Sequence, residues 1–255
     1  MVTQVTRTHA ELPIGVLAGG RMSKMRHIPI PYEAKCVVKY STWPKTGTAV
    51  TNEMGNTTYN GVTADNDYSL RYTGATSFVL NDANDYIKVP KGALVNNLGA
   101  HTFEFIFTYN TTSAFTSRFM DKMSQYLMYI DTTNRYLSIK RMDDGGVAYR
   151  GWHTPNSTFV AGHNYFLQIS WDATSFSSDP LIKINNATQT LTTAHSGVTD
   201  VWQNEAADDM YLFNDATVDR ILYSTVYLVR IHNAALTDAQ LNNNYLADYW
   251  RYGWV

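Results

Sequence analysis

Cysteine is almost missing from this chain: Cys36 is the only one in 255 residues. An internal disulfide and a cysteine-rich zinc site are both excluded, and a lone thiol reads as a small buried hydrophobe. Charge is scarce as well. Charged side chains make up 16% of the residues and the net charge is −2. That leaves no general basic field for nucleic acid or an anionic membrane surface. Glutamate is confined to Glu11, Glu33, Glu53, Glu104 and Glu205, no two of them close in sequence. No apolar run reaches membrane-spanning length, so membrane insertion is not expected. Residues 1–30 carry Arg7, Arg21, Lys24 and Arg26 but no continuous apolar stretch of the secretion-signal kind. The expectation is a protein that stays where it is made or leaves by another route. The seven histidines show no HExxH spacing. Neither a Gly-x-Ser-x-Gly elbow nor a phosphate-binding glycine loop occurs. The sequence does not read as an enzyme.

What the chain does have is aromatic and β-branched mass. It holds 18 Tyr, 10 Phe and 6 Trp, and 44% of its residues are hydrophobic, enough to fill a large core of strands. His101 to Tyr109 puts Phe103, Phe105, Phe107 and Tyr109 on one face and Thr102, Glu104, Ile106 and Thr108 on the other. Further strands are predicted near 126–130, 136–141, 147–152, 164–171 and 181–185. Tyr165, Leu167, Ile169 and Trp171 alternate inward, and Asn185-Asn186 forms a turn. Residues 210–213 and 221–232 complete the set. Thr237 and Gln240 then have capping-box spacing at the start of a short helix. Short strands at this spacing with one late helix predict an all-β, two-sheet antiparallel sandwich.

The order of several motifs carries a resemblance. The closing stretch VYLVRIHNAALTDAQLNNNYL (226–246) resembles the end of laminin-G-like domains of the concanavalin A-like lectin-glucanase jelly-roll family. Asp82-Ala-Asn-Asp-Tyr-Ile-Lys-Val-Pro90 is similar to that family's DYVxVP strand, and Asn52-Glu-Met-Gly-Asn56 to its opening loop. The resemblance covers about residues 35–247. It implies a jelly roll over 32–248 with a short C-terminal helix; residues 1–31, which have no sustained period, read as an N-terminal extended arm, and 249–255 as an aromatic tail. The resemblance also implies recognition rather than catalysis. Retaining glucanases of this fold need two Glu and an Asp at alternate positions of one strand, a pattern this chain lacks.

Candidate binding residues follow from chemistry. A sugar needs an exposed ring beside amides. Trp152 with His153, Trp202 with Gln203 and Asn204, and Tyr149 sit near strand ends where that is expected. No cofactor is required, calcium being the one candidate the fold family suggests. Its ligands would come from Asp82, Asn84 and Asp85 or from Asp208 and Asp209, although Asx turns account for both clusters without a metal. The arm and tail have no core of their own. Arg7, Leu12, Ile14 and Arg21, with Trp250, Tyr252 and Trp254, are therefore the expected assembly contacts. The combined expectation is a virion structural, decoration or tail-associated protein of a bacteriophage, homo-oligomeric, touching other subunits through the arm and cell-surface glycans through the sandwich. A stand-alone carbohydrate-binding module is the alternative. A glycosidase using Asp209 and Glu205 is a fainter one.

Overall fold

The computed structural model describes residues 32–41, 49–63, 68–70, 76–112, 116–122, 126–142, 149–174, 178–194, 202–204 and 208–251. The strands run β1 (Cys36–Tyr40), β2 (Ala49–Val50), β3 (Gly61–Thr63), β4 (Tyr68–Leu70), β5 (Thr76–Leu80) and β6 (Ile87–Val89). They continue with β7 (Ala100–Thr112), β8 (Ser117–Lys122), β9 (Tyr126–Ile130), β10 (Leu137–Met142), β11 (Tyr149–His153) and β12 (His163–Asp172). The last are β13 (Leu181–Ile184), β14 (Ala187–Thr188), β15 (Thr192–Thr193), β16 (Met210–Leu212) and β17 (Leu222–His232), followed by α1 (Asp238–Arg251). Among the described residues they form two antiparallel sheets. The first has the order β14-β13-β12-β7-β17-β5-β4 with β1 beside β17, and the second β15-β11-β10-β9-β8-β16-β6-β3-β2. The protein is an all-β sandwich with one C-terminal helix.

Alternation explains the core. Phe103, Phe105 and Phe107 of β7 are wholly buried between the sheets. Phe105 meets Phe213 edge-on at 5.7 Å and Phe107 meets Phe119 at 5.0 Å, the T-shaped geometry that aromatic quadrupoles favour. Tyr165, Leu167, Ile169 and Trp171 of β12 face the same interior, all nearly inaccessible. The β13–β14 hairpin turns through Asn185 and Asn186 at φ 49° and 66°. A two-residue type I′ turn requires that left-handed pair, and asparagine tolerates it.

The opposite face of the first sheet, which carries Thr102, Glu104, Ile106 and Thr108, is covered as well. Thr102 and Glu104 are fully buried and Ile106 is 1% exposed, because α1 covers them. The helix starts with the expected box: the Thr237 N–H donates to Gln240 Oε1 at 2.9 Å and the Gln240 N–H to Thr237 Oγ1 at 3.3 Å. Its buried residues Leu241, Asn244, Ala247 and Asp248 fall on one face, and two of the four are polar. Asn244 Nδ2 donates to both oxygens of Glu104 (3.1 and 2.9 Å). Gln168 Nε2 donates to Glu104 Oε1 at 2.7 Å and to the Leu241 carbonyl at 2.8 Å. Arg230 Nε lies 2.8 Å from Glu104 Oε2, and its Nη2 pairs with Asp248. His232 Nε2 completes the ring of contacts, 3.1 Å from Glu104 Oε2. The helix therefore closes on a buried polar layer beside an apolar cluster, in which Tyr245 packs on Ile106, Phe166, Tyr227 and Leu228.

The domain boundary expected at 248/249 falls inside this helix, which runs on to Arg251. Tyr249 belongs to α1 and its ring lies 5.6 Å from that of Tyr245, so the tail does not begin there. Trp250 is also helical. The arm over 1–31, Tyr252 and Trp254 lie outside the described residues.

Candidate functional site: a rim pocket and an aromatic sheet face

One end of the sandwich carries a pocket of about 450 Å³. Several separate segments build it: Asn97, Leu98 and Gly99 ahead of β7, Arg141 of β10, Ala173 and Thr174 after β12, and 202–204. These elements meet because β7, β10 and β12 begin or end at the same rim. Asn97 sits at φ 46°, and its Nδ2 donates to Asn204 Oδ1 at 3.1 Å, joining two sides of the opening. The Trp202 indole is locked edge-on to Trp171 at 5.4 Å, and its Nε1 donates to the Ala173 carbonyl at 2.8 Å. With the N–H engaged, any contact the indole makes to a ligand is made by its ring. The Arg141 guanidinium stacks 5.0 Å from the Trp202 ring and 5.3 Å from that of Tyr126, and its Nη1 donates to the Leu98 carbonyl at 2.6 Å. The Gln203 N–H is bound to the Met142 carbonyl at 3.1 Å. None of the described residues lining the pocket carries a carboxylate.

Trp202, Gln203 and Asn204 thus come together as the sequence reading grouped them. Trp152 does not join them, and its reading as an exposed stacking ring is corrected. Strand β11 alternates so that Trp152 points inward, fully buried. Its ring is edge-on to Trp171 at 4.9 Å, with Nε1 donating to Asp179 Oδ1 at 2.7 Å. It closes the core beneath the rim and cannot meet a sugar. His153, next in the strand, faces out on the second sheet and stacks on Tyr136 with ring centroids 4.6 Å apart.

The acidic clusters are occupied by turn chemistry. Asp85, 1% exposed, accepts the N–H groups of Asn81 and Asp82, both at 2.8 Å. Asp82 Oδ1 accepts the N–H and the side-chain amide of Asn84, both at 3.0 Å. Asp209 accepts the Lys91 N–H at 2.8 Å and lies 3.8 Å from Lys88 Nζ. Asn214 reaches across to the 82–85 loop, donating to the Ala83 and Asp85 carbonyls at 2.9 Å. Among the described residues no group of three or more His, Cys, Asp or Glu is placed to hold a metal ion. Asp208 belongs to no such group, and Glu205 lies outside the described residues.

The sequence reading missed two features of this region. Asn97 and Thr174 come from loops with no motif of their own. The tyrosines and Lys140 on the outer face of the second sheet show only once strand register is known.

No protein-family model and no curated protein matches this chain. Solved structures do. The chain is similar to a Trypanosoma rangeli sialidase at 11% identity and a TM-score of 0.58, over 87% of this chain and 34% of that one. The same sialidase in complex with sialic acid gives 11% identity and a TM-score of 0.58 over 95% and 36%. The botulinum neurotoxin serotype D binding domain gives 14% identity and a TM-score of 0.58 over 83% and 51%. The chain spans about a third to a half of the solved chains it matches. At these identities the likeness is one of fold: a jelly-roll or sandwich architecture found in a sialidase and in a toxin binding domain.

Proposed function

We propose that this chain is a non-enzymatic, sugar-binding sandwich of the concanavalin A-like, laminin-G type, and that it serves as a structural or attachment subunit of a bacteriophage particle. The observation that carries the sugar-binding part is the rim pocket. It sets an indole beside three amides and a hydroxyl (Trp202, Asn97, Gln203, Asn204 and Thr174) in a concave site of a size that takes a saccharide unit. Glycoside hydrolysis generally needs two carboxyl groups flanking the scissile bond, whereas an indole with amides suffices to hold a ring and its hydroxyls. The likeness to a sialic-acid-bound sialidase and to a toxin binding domain agrees with recognition at the level of fold analogy.

A glycan array followed by calorimetry tests this reading. Trp202→Ala is expected to weaken the best ligand at least tenfold, about 1.4 kcal/mol, and Asn204→Ala by a smaller factor. Unchanged affinity in both variants, or no sugar bound across the array, would sink it.

The particle role draws on the sequence character of the ends. Residues 1–31 are basic and lack a periodic core, and 249–255 hold four aromatic rings in seven residues. The full chain is expected to sediment with a large assembly and the chain lacking residues 1–31 to run as a small species. Identical sedimentation of the two forms would leave a free carbohydrate-binding module instead.

A further inference from the structure

The second sheet has an outer face that the rim pocket does not use. Register places Ser138 opposite Tyr129 and His153, Lys140 opposite Leu127 and Gly151, and Met142 opposite Tyr149. One face therefore carries Tyr129, Lys140, Tyr149 and His153, while Met128, Ile139 and Trp152 point into the core. Helix α1 packs on the other sheet, and Tyr136, Lys140, Tyr149 and His153 are all partly exposed.

Lys140 is the unusual member. Its Nζ lies 4.4 Å from the Tyr149 ring centroid and 5.4 Å from that of Tyr129, so two π faces hold it. Among the described residues no carboxylate is within ion-pair reach of it, and the nearby acids are taken. Asp121 pairs with Arg118 at 3.2 Å, and Asp131, beside Tyr136, accepts the Thr133 and Asn134 N–H groups at 3.1 and 2.7 Å. The Tyr129 side chain hydrogen-bonds this ammonium and the tyrosines around it favour its charged form, so the cation is held in place with its charge open to an anionic ligand. Beside it, Tyr136 and His153 make a stacked platform, and His153 Nδ1 is bound to the Thr154 carbonyl at 3.0 Å. Lys140 and His153 are diagonal neighbours on adjacent strands, about 7–8 Å apart along the backbone. One sugar residue with its acid group bridges such a span.

We infer that this face is a second binding site, separate from the rim pocket, for an acidic polysaccharide: Lys140 receives the sugar's carboxylate or sulfate, and the Tyr136–His153 stack carries the ring. The ligand's anion meets an ammonium that no carboxylate among the described residues pairs with, and the tyrosines exclude water from the pair.

The test uses the full chain and four polymers in two matched pairs: polygalacturonate with its methyl ester, and dextran sulfate with dextran. Retention is expected on at least one acidic polymer at low salt and on neither neutral partner, and it falls as salt rises. Lys140→Met should weaken that binding about tenfold while Lys140→Arg keeps most of it, with near-ultraviolet circular dichroism checking that both are folded. Tyr136→Ala should weaken it too, which a purely electrostatic contact would not require. The inference is overturned by equal binding of acidic and neutral partners, by a Lys140→Met protein that binds as the parent does, or by no retention on either acidic polymer. It is also overturned if Lys140→Met abolishes self-association instead, since the face would then belong to a second copy of the chain.

Discussion

Arg230→Met should lower the unfolding free energy by about 3–5 kcal/mol, read as a shift in the urea midpoint. Arg230 is fully buried and stands between two carboxylates, Glu104 on β7 and Asp248 on α1. Methionine fills much of the same volume but leaves both acids inside the protein without their cation. The cost is thus one of desolvated charge more than of a cavity. Glu104→Gln combined with Arg230→Met removes one of the stranded charges and should recover part of the loss. A single variant with the parent's midpoint would mean that water reaches this layer. Acid should act here too, over a known range. Burial alone would raise the Glu104 carboxyl, but the Arg230 guanidinium and the bonds from His232 and Gln168 outweigh it and hold it at about 2. The folded value lies below the ordinary one, so this stabilisation is complete above about pH 4.5 and is lost as the pH falls toward 2.

A second acid-sensitive element works at higher pH. His101 is fully buried at the base of the rim, edge-on to Phe103, Tyr126 and Trp171. Its Nδ1 lies 2.7 Å from the Gly99 carbonyl and its Nε2 2.6 Å from the Tyr126 hydroxyl. The carbonyl can only accept, so Nδ1 carries the proton and Nε2 accepts from the tyrosine. Burial pushes the imidazole down to about 3. An unfolded chain binds a proton near pH 6.5 while the native one refuses it until about pH 3. Stability is therefore full above pH 6.5 and drains as the pH falls between these limits, by up to about 1.4 kcal/mol per unit. His101→Gln, which retains donor and acceptor groups, should flatten the dependence of unfolding free energy on pH between 6 and 4. Equal slopes in parent and variant would show that another group governs the acid limb. Gly99 and Leu98 line the pocket, so sugar binding should weaken along with stability.

Much of the sandwich could be read from side-chain period alone. The strand expected at 126–130 is observed at Tyr126–Ile130, the Asn185-Asn186 turn occurs as expected, and Thr237 and Gln240 cap the helix. Period does not reveal what lies over a face. Thr102 and Glu104 form a polar row, and the helix that covers it turns Asn244 and Asp248 inward beside Leu241 and Ala247. Where polar side chains meet across a contact, as Glu104 and Asn244 do, no apolar stripe marks it. Trp152 was misread for a related reason. Its side of β11 depends on where the strand begins, and a displacement of one residue exchanges the faces. The rim site was half legible because Trp202, Gln203 and Asn204 are consecutive. Asn97, Arg141 and Thr174 reach it from three other segments, which only the fold brings together.

The position of β17 sets a schedule for biosynthesis. The strand lies between β7 and β5 and also pairs with β1, yet it comes last in chain order among the described strands. Until residue 232 emerges, the first sheet exists as three unconnected pieces, β14-β13-β12-β7, β5-β4 and β1, and the long edge of β7 stands open to any passing strand. A nascent chain of this protein therefore cannot close this sheet before β17 is made. Chaperone dependence during translation, and aggregation when translation halts before β17, follow from the strand order.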